Sequence, residues 1–404
     1  MSTPPPRRPI HLILDFDGTI TRTDTMHLLA SSGPLSLSPD RLPPWSHFVT
    51  AYLDDYTAHV AAYRPVAAER TSIELELAWL ESLRGVEQDS YRRVVDAGVF
   101  EGVRVEDLQR VVEKEIVGKG LVRDGLEALA EAVRRWNRAV RVDGNANESL
   151  RESTRVDVNA YDDLDVKVDV ISVNWSATFI KQVIYSAIPE SLAREIRVFA
   201  KELPGLVTSS SSGSVSGTST TTPEQNQNQK EIETLPTCIR TARDKAAFLR
   251  YAVSTRTSRD TNPNMSVLES LDTSTCTNMT TNTDRNQHQS QSQNQSQSQS
   301  QHQSRDGSED ENAVVVYIGD SATDLECLVA ADVGVCIRDA PMGGSQRELA
   351  ETCEMVGVEV QDLRRLAQGE MVIEKERGAR RLWWVDGLER VREVLVGSGT
   401  GMGC

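Results

Sequence analysis

The run AVVVYI, residues 313 to 318, is almost continuously apolar and breaks off at Gly319-Asp320. A strand written this way is covered on both faces, which points to a parallel sheet with helices packed on either side. Behind it, SATDLECLVAADVGVCI turns helical and then apolar again, so strands and helices alternate. The same order recurs at HLILDFDGT, residues 11 to 19, where Leu12-Ile13-Leu14 runs into Asp15, Phe16 and Asp17. It recurs once more at VKVDVISV, residues 166 to 173, followed by a helical ATFIKQVIYSAI that ends at Pro189. The expected fold class is therefore α/β, built on a parallel sheet.

After a first strand at residues 10 to 16, the pattern changes. TSIELELAWLESLRGV and VEDLQRVVEKEIVGKGL carry apolar residues at spacings of three and four with charges between them, which predicts a helical block over 24 to 135. Residues 1 to 9 read as a disordered arm, 397 to 404 as a flexible tail, and 141 to 165, which lack a period, as an inserted surface loop. Residues 207 to 230 and 254 to 312, the latter including QHQSQSQNQSQSQSQHQS, hold too little apolar surface to offset the entropy of ordering and are expected to be disordered insertions. Such loops are tolerable, since each doubling of length costs about 0.6 kcal/mol.

Composition narrows the partners. With 60 acidic and 44 basic residues the chain carries a formal charge of −16, the wrong sign for neutralising a phosphate backbone, so nucleic acid is not expected. The 6 cysteines show no C-x-x-C spacing and suggest neither a disulfide framework nor a zinc site. The start, MSTPPPRRP, lacks the apolar core of a secretory signal, and no window reaches the roughly 18 apolar residues of a spanning helix. The expectation is a cytoplasmic protein with no membrane partner; oligomeric state is not legible.

Two acidic pairs carry the chemistry. Asp15 and Asp17, two apart at a strand's C-terminal end, project to one side, and carboxylates about 4 Å apart repel by roughly 4 kcal/mol at an effective dielectric of 20. A hard divalent cation held by oxygens offsets that repulsion. Gly18 lets the backbone approach a ligand, where successive N–H groups can cradle an anion. Asp320 and Asp324, four apart in GDSATD, fall on one helical face at the same sheet edge, where ligands of parallel sheets bind. Capping of the next element is the alternative, by the aspartates at the first motif and by Asp320 or Ser321 at the second. Ser172, ending its strand, and Lys245, opening a predicted helix in TARDKAAFL, suit a phosphoryl group's oxygens, although a strand-end serine and a lysine are individually commonplace.

Taken in order, Asp15-x-Asp17-Gly18-Thr19, Ser172, Lys245 and Gly319-Asp320-Ser321-Ala322-Thr323-Asp324 resemble the motifs of the haloacid dehalogenase superfamily of phosphohydrolases. The resemblance implies a Rossmann-like three-layer parallel sheet formed by 10 to 23 and 136 to 396, with a helical cap, residues 24 to 135, inserted after the first strand. DFDGTIT, ISVNWSATFI, RDKAAF and VVYIGDSATDLECLVAADVGV are also similar to the phosphatase domain fused to thiaminase-II-like proteins, which acts on thiamine monophosphate.

By the same resemblance, the expected activity is that of a Mg²⁺-dependent phosphatase acting on a small phosphorylated metabolite. Asp15 becomes the nucleophile that forms an aspartyl phosphate, and Asp17 the general acid and base. The ion falls to Asp15, the Asp17 carbonyl and Asp320, with Asp324 assisting; Ser172, Lys245 and Gly18 bind phosphate. Phosphoserine, pyridoxal phosphate, phosphocholine and nucleoside monophosphates are alternative substrates, and a non-catalytic interaction protein is the alternative from another class. His27, Trp45, Tyr52 and Tyr56 are candidates for contacts from the cap, each equally readable as packing.

Overall fold

A computed structural model describes residues 8–33, 42–146, 167–206, 235–236, 238–257, 313–365 and 381–396. The expected arm over 1–7, the tail over 397–404 and most of the three insertions lie outside these residues. Two insertion boundaries move inward, because helix persists to residue 146 at one and to residue 257 at another.

Seven strands form one all-parallel sheet: β1 (Ile10–Leu14), β2 (Val168–Ile171), β3 (Arg197–Phe199), β4 (Val314–Gly319), β5 (Val333–Ile337), β6 (Glu359–Asp362) and β7 (Arg381–Val385), ordered β3-β2-β1-β4-β5-β7-β6. The strand order reverses at β1, which pairs with β2 on one side and β4 on the other. Leu14 lies opposite both Val170 and Ile318. Asp15, Ser172 and Asp320 are thus the first residues beyond three neighbouring strands, at one edge of the sheet. This is the crevice in which parallel sheets bind ligands.

The helices are α1 (Met26–Ala30), α2 (Trp45–Ala62), α3 (Ile73–Ser82), α4 (Arg84–Asp96), α5 (Val105–Val111), α6 (Leu126–Ala146), α7 (Ala177–Ala187), α8 (Glu190–Ala193), α9 (Ala242–Thr257), α10 (Leu325–Ala330), α11 (Gly344–Met355) and α12 (Leu388–Val396). Side chains that alternate along the strands sort them into layers. Leu12, Leu14, Val170, Val316 and Ile318 pack with Leu129 and Val133 of α6, Phe179 and Val183 of α7, and Val391 of α12. Ile13, Ile171 and Tyr317 pack on the opposite face with Ala246 and Leu249 of α9, Leu328 of α10 and Leu349 of α11. The result is the three-layer, Rossmann-like arrangement expected from the sequence.

Helices α1 to α5 come between β1 and the next core helix, and the chain enters and leaves them side by side through an antiparallel bridge between Thr21 and Val122. The expected boundary of this block at residue 135 shifts accordingly, since α6 packs on the sheet as part of its helical layer. The periodicity of α6 continues that of the preceding helices, so spacing alone does not mark the change of partner.

Strand β2 carries a buried charge. All four residues of β2 are buried, Asp169 included. Its carboxylate is met by His11 Nε2 at 2.7 Å and by Arg197 Nε at 2.8 Å, an arrangement that compensates an otherwise costly buried charge. Trp383 and Trp384 belong to strand β7.

Candidate active site

Helix α9 places the lysine. Asp244 Oδ2 accepts from the amides of Arg240 (2.9 Å) and Thr241 (3.2 Å), satisfying donors ahead of the helix, and the next residue, Lys245, turns inward. Its ammonium, 1% exposed, lies 2.7 Å from Asp15 Oδ1 and 2.6 Å from Asp324 Oδ1. Burial disfavours that ammonium, yet the charges of Asp15 and then Asp324 outweigh it and hold its pKa above the ordinary value. Lys245 therefore stays charged, cross-linking the ends of β1 and β4.

Asp324 is fully engaged. Its Oδ1 also accepts from Tyr317 Oη at 2.7 Å, while Oδ2 accepts from the Asp320 amide (3.2 Å), the Ser321 amide (3.1 Å) and Ser321 Oγ (2.9 Å). Asp320 keeps more freedom: Oδ2 accepts from Ser345 Oγ at 2.8 Å, and Oδ1 receives a long contact of 3.4 Å from Thr19 Oγ1. The capping role considered for Asp320 or Ser321 is taken instead by Asp324, which bonds the amides at the start of the short helical turn Ala322–Asp324.

Oxygens of Asp15, Asp320 and Asp324 lie within 4.8 Å of one another, and all three residues are buried. Burial first, and then the charge of Asp324, drive the Asp15 carboxyl well above its usual range; the same two causes push Asp320 up to about 7. Crowded, buried carboxyl oxygens are the donor set that a hard divalent cation favours. A divalent cation held here would take Asp15 and Asp320 as side-chain ligands, since both Asp324 oxygens are already hydrogen-bonded.

Asp17 belongs to a separate group. Its Oδ1 accepts from the Thr25 amide (2.9 Å) and hydroxyl (2.6 Å), and its Oδ2 from Asn174 Nδ2 (2.9 Å). Burial, then the nearby charge of Asp24, raise this carboxyl to about 6, while the hydrogen bonds from Thr25 and Asn174 pull it back. A carboxyl at that value is able to give and regain a proton near neutrality.

The turn after Asp17 is tightly specified. Phe16 O accepts from the amides of Thr19, Ile20 and Thr21. Gly18 has φ +78°, and a Cβ there would stand 2.2 Å from Asp320 Oδ2. Among the described residues, the amides of Asp17 and Gly18 donate to no protein acceptor. Two adjacent donors at the strand mouth form a nest suited to an anion. Ser172 is buried at the end of β2, where its Oγ accepts from the Asn174 amide at 3.0 Å and retains a proton to donate; it bonds none of the four aspartates.

All seven sequence-predicted positions thus lie at or beside one sheet edge, six of them in two hydrogen-bonded groups and Gly18 in the turn next to both. Thr25, Asn174, Tyr317 and Ser345 are additions. Asn174 had a local signal, two residues past Ser172 in ISVNWS, whereas Thr25 and Ser345 sit on unrelated elements. Of the aromatic candidates, Trp45 meets Trp175 at 6.5 Å between ring centroids, Tyr52 donates to Glu87 at 2.9 Å and stacks on Tyr56, and His27 is exposed.

The fold and these groups define an α/β protein with a buried carboxylate–lysine centre at a parallel-sheet edge. No family model and no solved structure matches the chain. Cold tolerance protein 1 of Saccharomyces cerevisiae is 23% identical over 187 residues, 43% of this chain and 50% of that protein. The chain thus spans about half the length of that curated relative. Among the described residues no helix is long and apolar enough to cross a membrane.

Proposed function

We propose that the chain is a phosphatase of the haloacid dehalogenase type, hydrolysing a small phosphomonoester through an aspartyl phosphate with Mg²⁺ as cofactor. The observation that carries this reading is Lys245, whose ammonium lies between Asp15 and Asp324, with the unpaired amides of Asp17 and Gly18 in the turn that follows Asp15. A fixed cation and free amide donors around one carboxylate suit the transfer of a phosphoryl group to that carboxylate.

Asp15 attacks phosphorus, the ester P–O bond breaks, and Asp17 gives its proton to the departing oxygen. A water then attacks the aspartyl phosphate, Asp17 takes its proton, and the bond to Asp15 breaks to release inorganic phosphate. Lys245, Ser172 and the turn amides hold the transferring oxygens. Asp15, the Asp17 carbonyl and Asp320 would hold Mg²⁺, which supplies charge neutralisation between nucleophile and phosphate.

Helices α1 to α5 serve as the cap that shapes the leaving-group pocket, with thiamine monophosphate the first substrate to test. A cytoplasmic setting accords with the free, buried thiols of Cys327, Cys336 and Cys353. The test is hydrolysis of p-nitrophenyl phosphate with and without Mg²⁺, alongside Asp15→Asn. Metal-dependent turnover abolished by the substitution is expected; a wild type inactive with every divalent ion refutes the hydrolase, and activity surviving Asp15→Asn refutes the nucleophile. A panel of phosphorylated metabolites then assigns the substrate.

A further inference from the structure

Arg123, just past the Thr21–Val122 bridge, is 3% exposed although it is neither on the sheet nor among the carboxylates of the site. Its guanidinium reaches the reacting turn from behind. Nη2 donates to Gly18 O at 3.0 Å and Nε to Thr19 O at 3.1 Å. The other edge of the fork meets Asp339, Nη1 to Oδ1 at 2.6 Å and Nη2 to Oδ2 at 3.0 Å. Asp339 is itself held: its amide donates to Gln346 Oε1 at 2.8 Å, and its Oδ2 accepts from Gln346 Nε2 at 2.8 Å. Gln346 follows Ser345, which bonds Asp320.

Filling this space would require only an apolar side chain, and burying a guanidinium is costly unless its donors are met. What an apolar side chain cannot do is grip two consecutive carbonyls with a planar fork. Those carbonyls belong to the peptides that directly follow the unpaired Asp17 and Gly18 amides, so holding them fixes where those amides point.

We propose that Arg123 is a positioning residue. Anchored on Asp339, it holds the Gly18 and Thr19 carbonyls, and so keeps the Asp17 and Gly18 amides and Asp15 in register with the α11 end of the site. It touches no reacting atom. The same residue's amide donates to Ile20 O at 2.8 Å, so the exit from helices α1 to α5 and the reacting turn are joined through main chain and side chain together.

This inference rests on the hydrolase reading, and its test separates the two. With the full chain, Mg²⁺ and p-nitrophenyl phosphate, kcat and KM are measured for wild type, Asp15→Asn, Arg123→Gln, Arg123→Lys and Asp339→Asn, with kcat normalised to folded protein from thermal melts. Arg123→Gln is expected to lower kcat at least tenfold with KM within threefold of wild type. Asp339→Asn, which keeps the arginine but loosens its anchor, is expected to lower kcat three- to tenfold, and Arg123→Lys to fall between. A merely structural role would lower the melting temperature and leave kcat per folded molecule unchanged. Wild-type kcat in folded Arg123→Gln overturns the proposal, as does wild-type kcat in Asp339→Asn if Arg123→Gln does not fold. If activity depends on Asp15 but not on Arg123, the hydrolase stands and only this role falls; a wild type without activity removes both.

Discussion

Lys245 Nζ and Asp15 Oδ1 are 2.7 Å apart in a fully buried ion pair between residues 230 positions apart in sequence. Removing the ammonium leaves Asp15 and Asp324 facing each other. Lys245→Met should destabilise the chain by about 3–5 kcal/mol at pH 8, the usual consequence of orphaning a buried charge. Protonation of one carboxyl relieves the defect, so urea unfolding at pH 6 should recover part of the loss. A loss equal at both pH values contradicts the mutual repulsion of the two carboxylates.

Asp17 and Asp320 have folded values of about 6 and 7 against an ordinary 3.8. A carboxyl raised on folding favours the folded chain while protonated. That advantage is complete below about pH 4 and is lost as pH rises through 6 and 7, at about 1.4 kcal/mol per pH unit for each group. Without divalent ions the melting temperature should fall between pH 4 and pH 7. Mg²⁺ should restore it at pH 7.5 and do little at pH 5, where protons occupy the same oxygens. Thermal melts with Mg²⁺ or with chelator measure this, and a melt indifferent to Mg²⁺ at pH 7.5 argues against the metal centre.

Thr25 holds Asp17 through a hydroxyl that donates at 2.6 Å. Thr25→Val removes a hydrogen bond to the charged form, so the Asp17 carboxyl should rise by about one further unit. As the general acid it would then remain protonated to higher pH, and the alkaline limb of kcat/KM for an alkyl phosphate should move upward by that amount. A pH–rate profile of both proteins checks it, and an unmoved limb assigns the acid elsewhere.

Gly18→Ala tests the turn. A left-handed φ costs a residue with a side chain about 1–2 kcal/mol, and here the added methyl also meets Asp320 Oδ2 at 2.2 Å. Asp320 must move. Activity should drop at least 100-fold, and Mg²⁺ should no longer raise the melting temperature; retention of both would mean that Asp320 is not a ligand.

The sheet edge was legible because apolar strands that end abruptly at acids leave few other placements: HLIL runs straight into Asp15, VVVYI reaches Asp320 after one glycine, and the pairing of Leu14 with Ile318 brings both acids to the same edge. Thr25, Asn174 and Arg123 were not legible as partners of one turn, since nothing in local spacing records that a threonine before α1 and an arginine before α6 will meet it. The buried Asp169 was obscured for a similar reason. Its partners, His11 and Arg197, stand 158 and 28 positions away in the sequence.

The bridge between Thr21 and Val122 has a consequence for how such a protein can change. Because the chain departs and returns at adjacent points, a turn of a few residues would close the same gap, and no strand would need to shift. Residues 26 to 121 are in this sense an interchangeable module: they can be lengthened, traded or reshaped while the sheet edge beneath, with Thr25 on Asp17, is inherited intact.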